Sequence, residues 1–258
     1  APARAWAMVM LLVAAYAIAF VDRQILTLLV EPVKRDLGIT DTQFSLLSGL
    51  AFTLFYTIMG IPFAWLADRG SRRNLIVASM TFWSVMTAAC GMANSFLTLF
   101  LARIGVGVGE AGLSPAAYSM IADSFPPEKR ARPLGVYVTG AILGVGLALI
   151  IGGAVVHWDN SAPPVVLPVI GELKTWQLAF LVVSLPGPLL ALLLLPMREP
   201  VRHEKARAAT GNPASFRVFM QERALVFWLL AMGFSLIGVS IAAYLSWAPA
   251  FMMRVHGW

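Results

Sequence analysis

Long apolar stretches recur along almost the whole of this sequence, and they constrain its fold more than any single motif does. Seven of them are about 20 residues or longer, enough for a helix to cross about 30 Å of hydrocarbon. They are predicted at 6–30, 42–67, 74–93, 96–122, 133–156, 176–195 and 224–247. The runs are continuous rather than alternating, which favours helices over barrel strands. Only 12% of the residues are charged, against about a quarter in soluble domains. The sequence therefore predicts an all-α polytopic membrane protein.

The spacing of these stretches predicts three parts. Short connections join the first six into an N-terminal six-helix transmembrane bundle at 1–196. A basic cytoplasmic linker follows at 197–223, and the seventh helix, at 224–258, begins a second bundle. The first stretch carries a central ion pair and is too long for a signal peptide, so it is expected to span the membrane. Because paired six-helix halves are a transporter plan, we expect most of the C-terminal half to lie outside this chain.

The net charge of +6 is distributed by side of the membrane, and basic residues are enriched in cytoplasmic loops. With a cytoplasmic N-terminus, that side holds Arg4, Arg69, Arg72, Arg73, Lys129, Arg130, Arg132, Arg198, Arg202, Lys205, Arg207, Arg217 and Arg223. The other side holds only Lys34, Arg35, Lys174 and Arg254. The surplus charge thus encodes topology rather than nucleic-acid binding, and it predicts a multi-pass protein of the cell inner membrane.

Four charged residues interrupt the apolar stretches: Asp22 and Arg23 in the first, Arg103 and Glu110 in the fourth. Counted at 1.5 Å per residue, the first three lie about 10–12 Å below the outer ends of their helices. Glu110 is two turns beyond Arg103 on the same face and deeper. Charges at this depth are costly and usually serve function. We expect them to line a pathway through the membrane.

The four charges sum to zero, and the sequence suggests how they divide. If the first and fourth helices face one cavity, Arg103 can pair with Asp22, which leaves Arg23 and Glu110 to respond to substrate or protons. Glu110 is the preferred proton carrier and Asp22 the second candidate, while Arg23 and Arg103 are candidates for an anionic head group. The alternative is a neutral clamp in which all four charges only fix helix packing.

A loop motif, AWLADRGSRR at 64–73, carries the most specific pattern in the chain. It resembles the loop signature of the major facilitator superfamily, glycine-x-leucine-alanine-aspartate-arginine-x-glycine-arginine-arginine, with Ala64 and Ser71 in place of two glycines. The resemblance implies a cytoplasmic gate that latches two halves of a transporter, drawn from Asp68, Arg69, Arg72, Arg73 and Asp123. For Arg69 and Arg73 a purely topological role is an equal alternative.

Two further stretches resemble helix motifs of the same superfamily. RIGVGVGEA at 103–111 is similar to its fourth-helix motif, and GVGLALIIGG at 144–153 to its fifth-helix antiporter motif, with Leu149 where that motif has proline. Small residues let membrane helices approach closely, so Gly144, Gly152 and Gly153 are expected to serve helix packing. Symport, antiport and uniport all stay open.

Within that superfamily, FVDRQILTLLVEPVKRDLGITDTQFSLLSG and RIGVGVGEAGLSPAAYSMIADSFP most closely resemble the Spinster family. The resemblance implies the superfamily fold and a secondary active transporter that moves an amphipathic lipid, such as a lysophospholipid or a sphingosine 1-phosphate-like molecule, by alternating access with proton coupling. The membrane lipids would then be both surroundings and source of substrate.

The residues alone narrow the substrate less. Gln24 is the only deep amide, which disfavours a sugar, while an apolar path with a few arginines suits an amphipathic anion. A small organic anion is the alternative substrate, and a non-transporting lipid sensor or scaffold is the alternative class. His157, His203 and His256 lie in loops or at helix ends, and Cys90 suits packing. We therefore expect no enzyme, no cofactor and no metal site, and a monomer that binds substrate and protons.

Overall fold

The computed structural model describes residues 2–161, 165–167, 171–202 and 216–256. Within them, seven helical spans are long and apolar enough to cross a membrane, and they confirm the seven predicted stretches. In chain order these spans are Ala3–Leu28, Asp41–Arg69, Arg72–Gly91, Phe96–Ser124, Ala131–Val155, Thr175–Leu194 and Val218–His256. They are called the first to the seventh span below.

The helices themselves differ from these spans in detail. Uninterrupted helices are Pro2–Leu28, Arg72–Gly91 and Ala131–Ser161. The second span joins Asp41–Ser45, a π-helical turn Leu46–Leu50 and Ala51–Arg69. The fourth joins Phe96–Glu110 to Leu113–Ser124, and the sixth joins Thr175–Ser184 to Pro186–Leu194. The connections add helix Val30–Leu37, the 3-10 turn Pro127–Lys129 and two short antiparallel strands, Val165–Leu167 and Gly171–Leu173.

The chain divides into two compact units, 1–200 and 201–258. The first unit contains the six-span bundle. The second is described as one long helix, Phe216–His256, whose backbone departs from helical geometry at Arg223. This helix begins inside the predicted linker 197–223, while residues 203–215 of that linker, including His203, Lys205 and Arg207, lie outside the described residues. The predicted boundaries after 196 and 223 remain predictions.

Polar caps fix where several helices of the bundle begin. Ser71 Oγ accepts a hydrogen bond from Asn74 N at 3.2 Å, so the third span begins directly after the loop motif. Ser95 and Thr98 form a capping box at the start of the fourth span. Each cap satisfies amide groups that have no partner within the helix. The caps therefore set the depth of the residues that follow, including Arg103 and Glu110.

The first span packs against the fifth at glycine positions. A Cβ atom on Gly144 would come within 2.6 Å of Phe20 Cβ, and one on Gly152 within 2.6 Å of Leu28 Cδ1. Only a residue without a side chain permits this approach. Gly153 was also expected to serve helix packing, but a Cβ atom added there would meet nothing within 4 Å. It lies on a face of the fifth span that no other described residue covers, so it takes no part in this packing.

Contacts near the helix ends define two faces of the bundle. At the end that holds the N-terminus, the amino-terminal face, Trp6 meets Phe125 edge-on at 5.5 Å between ring centroids. At the other end, the opposite face, Trp176 Nε1 donates to Asp36 Oδ2 at 3.0 Å. The six spans of the bundle therefore run alternately up and down, and residues near the middle of the first and fourth spans lie between the two faces.

Candidate functional site

Arg23 and Glu110 form an ion pair deep inside the bundle. Arg23 Nε donates to Glu110 Oε2 at 2.5 Å, which joins the first span to the fourth. Glu110 is the last residue of helix Phe96–Glu110, directly before the irregular turn in the fourth span. Its side chain is fully buried, whereas the Arg23 side chain is 23% exposed. Arg23 is thus the member of the pair that a ligand could reach.

Asp22 and Arg103 do not form the side-chain pair expected from the sequence. Arg103 Nη1 donates instead to the main-chain oxygen of Asp22 at 3.2 Å. Among the residues that the structure describes, neither carboxylate oxygen of Asp22 meets a hydrogen-bond partner. Adjacent residues on a helix point about 100° apart, so an Arg23 directed at Glu110 turns the Asp22 side chain elsewhere. The four charged residues Asp22, Arg23, Arg103 and Glu110 are called the charge layer below. Within this layer Arg23 pairs with Glu110, and the Asp22 carboxyl group is not part of that ion pair.

Three aromatic rings surround the Arg23 guanidinium. Its Cζ atom lies 5.0 Å from the centroid of Phe20, 4.9 Å from that of Phe52 and 4.6 Å from that of Tyr56. Each cation–π contact stabilises a desolvated arginine by about 1–2 kcal/mol. Sequence reasoning missed this aromatic frame. The available signal was the spacing: Phe20 precedes Arg23 by three residues, and Phe52 and Tyr56 lie one turn apart on the second span.

The remaining polar atoms of the layer are buried. Asp22, Arg103 and Glu110 are each about 1% exposed. Arg103 also lies over Phe52, at 5.3 Å from the ring centroid. Arg103 Nε and Glu110 Oε1 have no hydrogen-bond partner among the described residues. Two buried carboxyl groups and two guanidiniums thus share one compartment whose polar atoms are incompletely matched.

A second charged cluster lies at the amino-terminal face around Arg72. The Arg72 guanidinium forms an ion pair with Asp123 and donates to Ser119 Oγ at 2.9 Å. Its Nε atom donates to Glu199 Oε1 at 3.0 Å, and Nη2 to the Pro200 carbonyl at 2.8 Å. Arg72 is 1% exposed. It therefore binds the ends of the third, fourth and sixth spans to one another.

Glu199 belongs to this cluster, and sequence reasoning missed it. Its carboxylate also accepts from Ser71 Oγ at 2.6 Å and from the Arg72 main-chain N–H at 3.0 Å. Partial burial raises the pKa of Glu199, but these hydrogen bonds and the Arg72 charge outweigh it and hold the pKa below its usual range. The signal was an acidic residue just after the sixth span, on the face predicted to be rich in arginine.

The other predicted gate residues take separate positions. Arg69 stacks on Trp65, with Cζ 4.0 Å from the ring centroid. Arg73 Nη1 donates to the Met197 carbonyl at 3.1 Å. Asp68 is exposed at the end of the second span. Of the predicted gate residues, Arg72 and Asp123 are joined directly by an ion pair.

Comparison of the sequence with known proteins identifies the family to which the chain belongs. A sequence profile of the Major Facilitator Superfamily matches residues 12–258. The chain belongs to the major facilitator superfamily. Among superfamily members, an efflux pump of Mycolicibacterium smegmatis is 31% identical over 99% of this chain and 56% of its own length. A probable L-galactonate transporter of Escherichia coli is 28% identical, over 96% of this chain and 54% of its own.

The resemblance to the Spinster family is also confirmed. The crystal structure of a bacterial homologue of the human lysosomal transporter Spinster, inward-facing and unoccupied, superposes with a TM-score of 0.83 at 33% identity. That match covers 99% of this chain and 57% of the other. The chain thus spans a little over half the length of each of these three proteins. Among the residues that the structure describes, no three His, Cys, Asp or Glu side chains group as a metal site would require.

Proposed function

We propose that this chain is the larger part of a secondary active transporter that moves an amphipathic lipid anion, such as a lysophospholipid or a sphingosine 1-phosphate-like molecule, by proton-coupled alternating access. The observation that carries the proposal is the Arg23–Glu110 ion pair, buried between the two faces of the bundle. Burying charged groups at this depth costs free energy, and charged residues inside membrane spans usually mark the pathway of a transported species.

Arg23 is the proposed contact for the anionic head group. Of the four charges in the layer, its side chain has the largest exposed fraction. Arginine suits a phosphate or carboxylate because its planar guanidinium donates several hydrogen bonds at once. Phe20, Phe52 and Tyr56 add apolar surface beside it, where the acyl chain of an amphipathic molecule can pack. Arg103 is the deeper, second positive charge.

Coupling to protons follows from competition for Arg23. An anionic head group that binds Arg23 takes the hydrogen-bonding edge now held by Glu110. The Glu110 carboxyl group then remains in a desolvated site without its counter-charge, where the neutral form costs far less. Substrate binding and protonation of Glu110 are thereby linked. Asp22, whose carboxylate oxygens meet no hydrogen-bond partner in the described part of the chain, is the second proton site.

The Arg72 cluster is proposed as the N-terminal part of a cytoplasmic gate. The positive-inside rule supports a cytoplasmic amino-terminal face. The protein is further proposed to be a monomeric multi-pass protein of the inner membrane. Arg72, Asp123 and Glu199 hold the ends of three spans in register. Asp68 and Arg69 are exposed beside this cluster, where the C-terminal half of the transporter is proposed to dock.

The experiment that tests this function is a flux assay with the full-length protein in liposomes. A panel of lysophospholipids and sphingoid phosphates would be offered with and without a proton gradient directed into the liposomes, that is, with the outside more acidic. We expect uptake of at least one lipid to be accelerated by the gradient, and a protonophore to abolish this acceleration. Binding without flux for the whole panel would instead support a lipid sensor or scaffold.

A small organic anion is the second candidate substrate. The observation that favours it is the similarity to a probable L-galactonate transporter, together with arginines that would bind any carboxylate. Competition decides between the two classes. Displacement of a bound fluorescent lysolipid by short sugar acids, but not by other lysolipids, would favour the organic anion.

A further inference from the structure

Four residues at the amino-terminal face form a series of contacts that the proposed function has not used. The Arg132 guanidinium lies over the Trp6 ring, with Cζ 5.5 Å from the ring centroid. Trp6 meets Phe125 edge-on, and Arg130 Nε donates to the Phe125 carbonyl oxygen at 3.1 Å. Trp6, Phe125, Arg130 and Arg132 are called the Trp6 cluster below. It joins the start of the first span to the connection between the fourth and fifth spans.

The Trp6 cluster lies at the level where the spans leave the hydrocarbon. The first span begins at Ala3, the fourth ends at Ser124 and the fifth begins at Ala131, so each member of the cluster is within about one helical turn of a span end. Tryptophan is enriched at this level because it combines a large apolar ring with a polar N–H group. The phosphate groups of membrane lipids occupy the same level. The cluster therefore lies within reach of lipid head groups.

The arginines of the Trp6 cluster differ from Arg72, on the same face, in their counter-charges. Arg72 is buried and pairs with both Asp123 and Glu199. Within the described ranges, neither Arg130 nor Arg132 forms an ion pair with a carboxylate. The Arg132 side chain is exposed, and Arg130 is half-buried. Two guanidiniums in one contact series are thus left to an anion from outside the bundle.

The neighbouring loop residues do not cancel this positive charge. The 3-10 turn Pro127–Lys129 adds one acid, Glu128, and one further cation, Lys129, and both are exposed. The loop between the fourth and fifth spans therefore keeps its positive charge. Such basic sites at the membrane surface attract anionic lipids.

The contacts also fix the two arginines more tightly than a topological role requires. A positive-inside charge can act as a freely solvated side chain. Here Arg132 is held on an indole ring that a different span supplies. The hydrogen bond to Phe125 uses Arg130 Nε and leaves the two Nη groups for another acceptor. Guanidinium groups held in this way are suited to several hydrogen bonds with one phosphate.

We propose that the Trp6 cluster binds the phosphodiester head group of an anionic phospholipid from the surrounding membrane. Arg130 and Arg132 bind the phosphate oxygens, and the Trp6 and Phe125 rings pack against the apolar part of the lipid nearest the head group. A lipid with net negative charge is favoured over a zwitterionic lipid, whose ammonium group opposes the attraction. This bound lipid is distinct from the transported substrate, and the proposal does not depend on the proposed function.

The test counts the lipids that stay bound to the full-length protein in detergent, by native mass spectrometry with added phosphatidylglycerol or phosphatidylcholine. Arg130→Gln and Arg132→Gln remove one charge each, and Arg198→Gln makes the same change at an exposed position on the same face as a matched control. We expect the affinity for phosphatidylglycerol to fall about fivefold in each cluster variant and about 30-fold when the two are combined. Arg198→Gln should leave it unchanged, and phosphatidylcholine should bind weakly throughout.

Two results would show general surface charge rather than a site, and either would overturn the proposal. One is equal binding of the two lipids by the native protein, and the other is an equal loss of binding in Arg198→Gln. Displacement of phosphatidylglycerol by millimolar inorganic phosphate would identify a free anion as the ligand, which also contradicts the proposal. The single variants keep the test decisive if the combined variant fails to fold.

Two further measurements separate the site from other parts of the transporter. Loss of the bound lipid in Arg23→Gln, with binding intact in the cluster variants, would place the lipid in the charge layer and overturn the proposal. A lower melting temperature of the cluster variants without loss of lipid would assign the missing counter-charge to the C-terminal half of the protein. An absence of lysolipid flux would refute the proposed function and leave this result standing, because binding is measured without transport.

Discussion

Arg23 Nε lies 2.5 Å from Glu110 Oε2, and this contact joins the first and fourth spans through two oppositely charged side chains. The two side chains differ in solvent exposure, because Glu110 is fully buried and Arg23 is partly exposed. A ligand can therefore reach the pair only through the arginine. The competition mechanism for proton coupling depends on this asymmetry.

Glu110→Gln is expected to uncouple transport from protons. The amide preserves the shape of Glu110 but neither carries charge nor takes up a proton in this range. We expect uptake in liposomes to lose its response to a proton gradient while lipid binding persists. The exposed Glu128 provides the matched control, because Glu128→Gln makes the same chemical change outside the bundle interior. Gradient-driven uptake that continues at the native rate in Glu110→Gln would remove Glu110 from the coupling mechanism.

Arg23→Lys should weaken substrate binding although it keeps the positive charge. An ammonium group is a compact, strongly hydrated charge that neither stacks among three rings nor offers two parallel donors. We expect about a tenfold weaker affinity for a lysolipid, measured by displacement of a fluorescent analogue. Arg4→Lys, at an exposed position near the N-terminus, should leave affinity unchanged. An equal affinity in Arg23→Lys would mean that the head group binds elsewhere.

Glu199→Gln should lower thermal stability near neutral pH and lose that effect in acid. The pKa of Glu199 is depressed in the folded protein, so its ionised form contributes stability that is present above the ordinary glutamate pKa, about 4.3, and is lost as the pH falls through the folded value. Melting curves of the purified protein from pH 7 downward test this. The native protein and the variant should converge in acid, and a constant difference across the range would contradict the assignment.

Two glycines on the fifth span offer a matched pair for helix packing. Gly144→Ala forces a Cβ atom against the first span at Phe20, where the backbone must shift, and overpacking of this kind typically costs about 1–3 kcal/mol. Gly153→Ala meets open space and should be neutral. Melting temperatures in the same detergent compare the two. Equal effects would show that the first and fifth spans are not held at the glycine positions.

Much of this architecture was predictable because it depends on features that can be read along the sequence. The length of each apolar run fixes the number of spans, and the spacing of charges along a helix fixes their depth. Depth does not fix direction, however. Arg23 and Asp22 are level in the membrane but point about 100° apart. The sequence therefore placed both near Glu110 and Arg103, but the side-chain pair it suggested, Asp22 with Arg103, is not the one that forms.

Contacts that depend on helix rotation and on distant parts of the chain were beyond the sequence pattern. Glu199 joins Arg72 from a position 127 residues away, and only the ends of the packed spans bring them together. Gly153 has the same sequence signal as Gly152, yet the neighbouring helix approaches only one of the two.

The most direct test of the central claim is the number of protons that the purified protein takes up when it binds substrate. A weakly buffered solution with a pH indicator would be mixed with a saturating lysolipid or other bound anion, for the native protein and for Glu110→Gln. Competition for Arg23 predicts an uptake approaching one proton per bound substrate in the native protein near neutral pH, and much less in the variant. Tight binding by the native protein with no proton uptake at any pH would contradict the claim that substrate displaces Glu110 from Arg23.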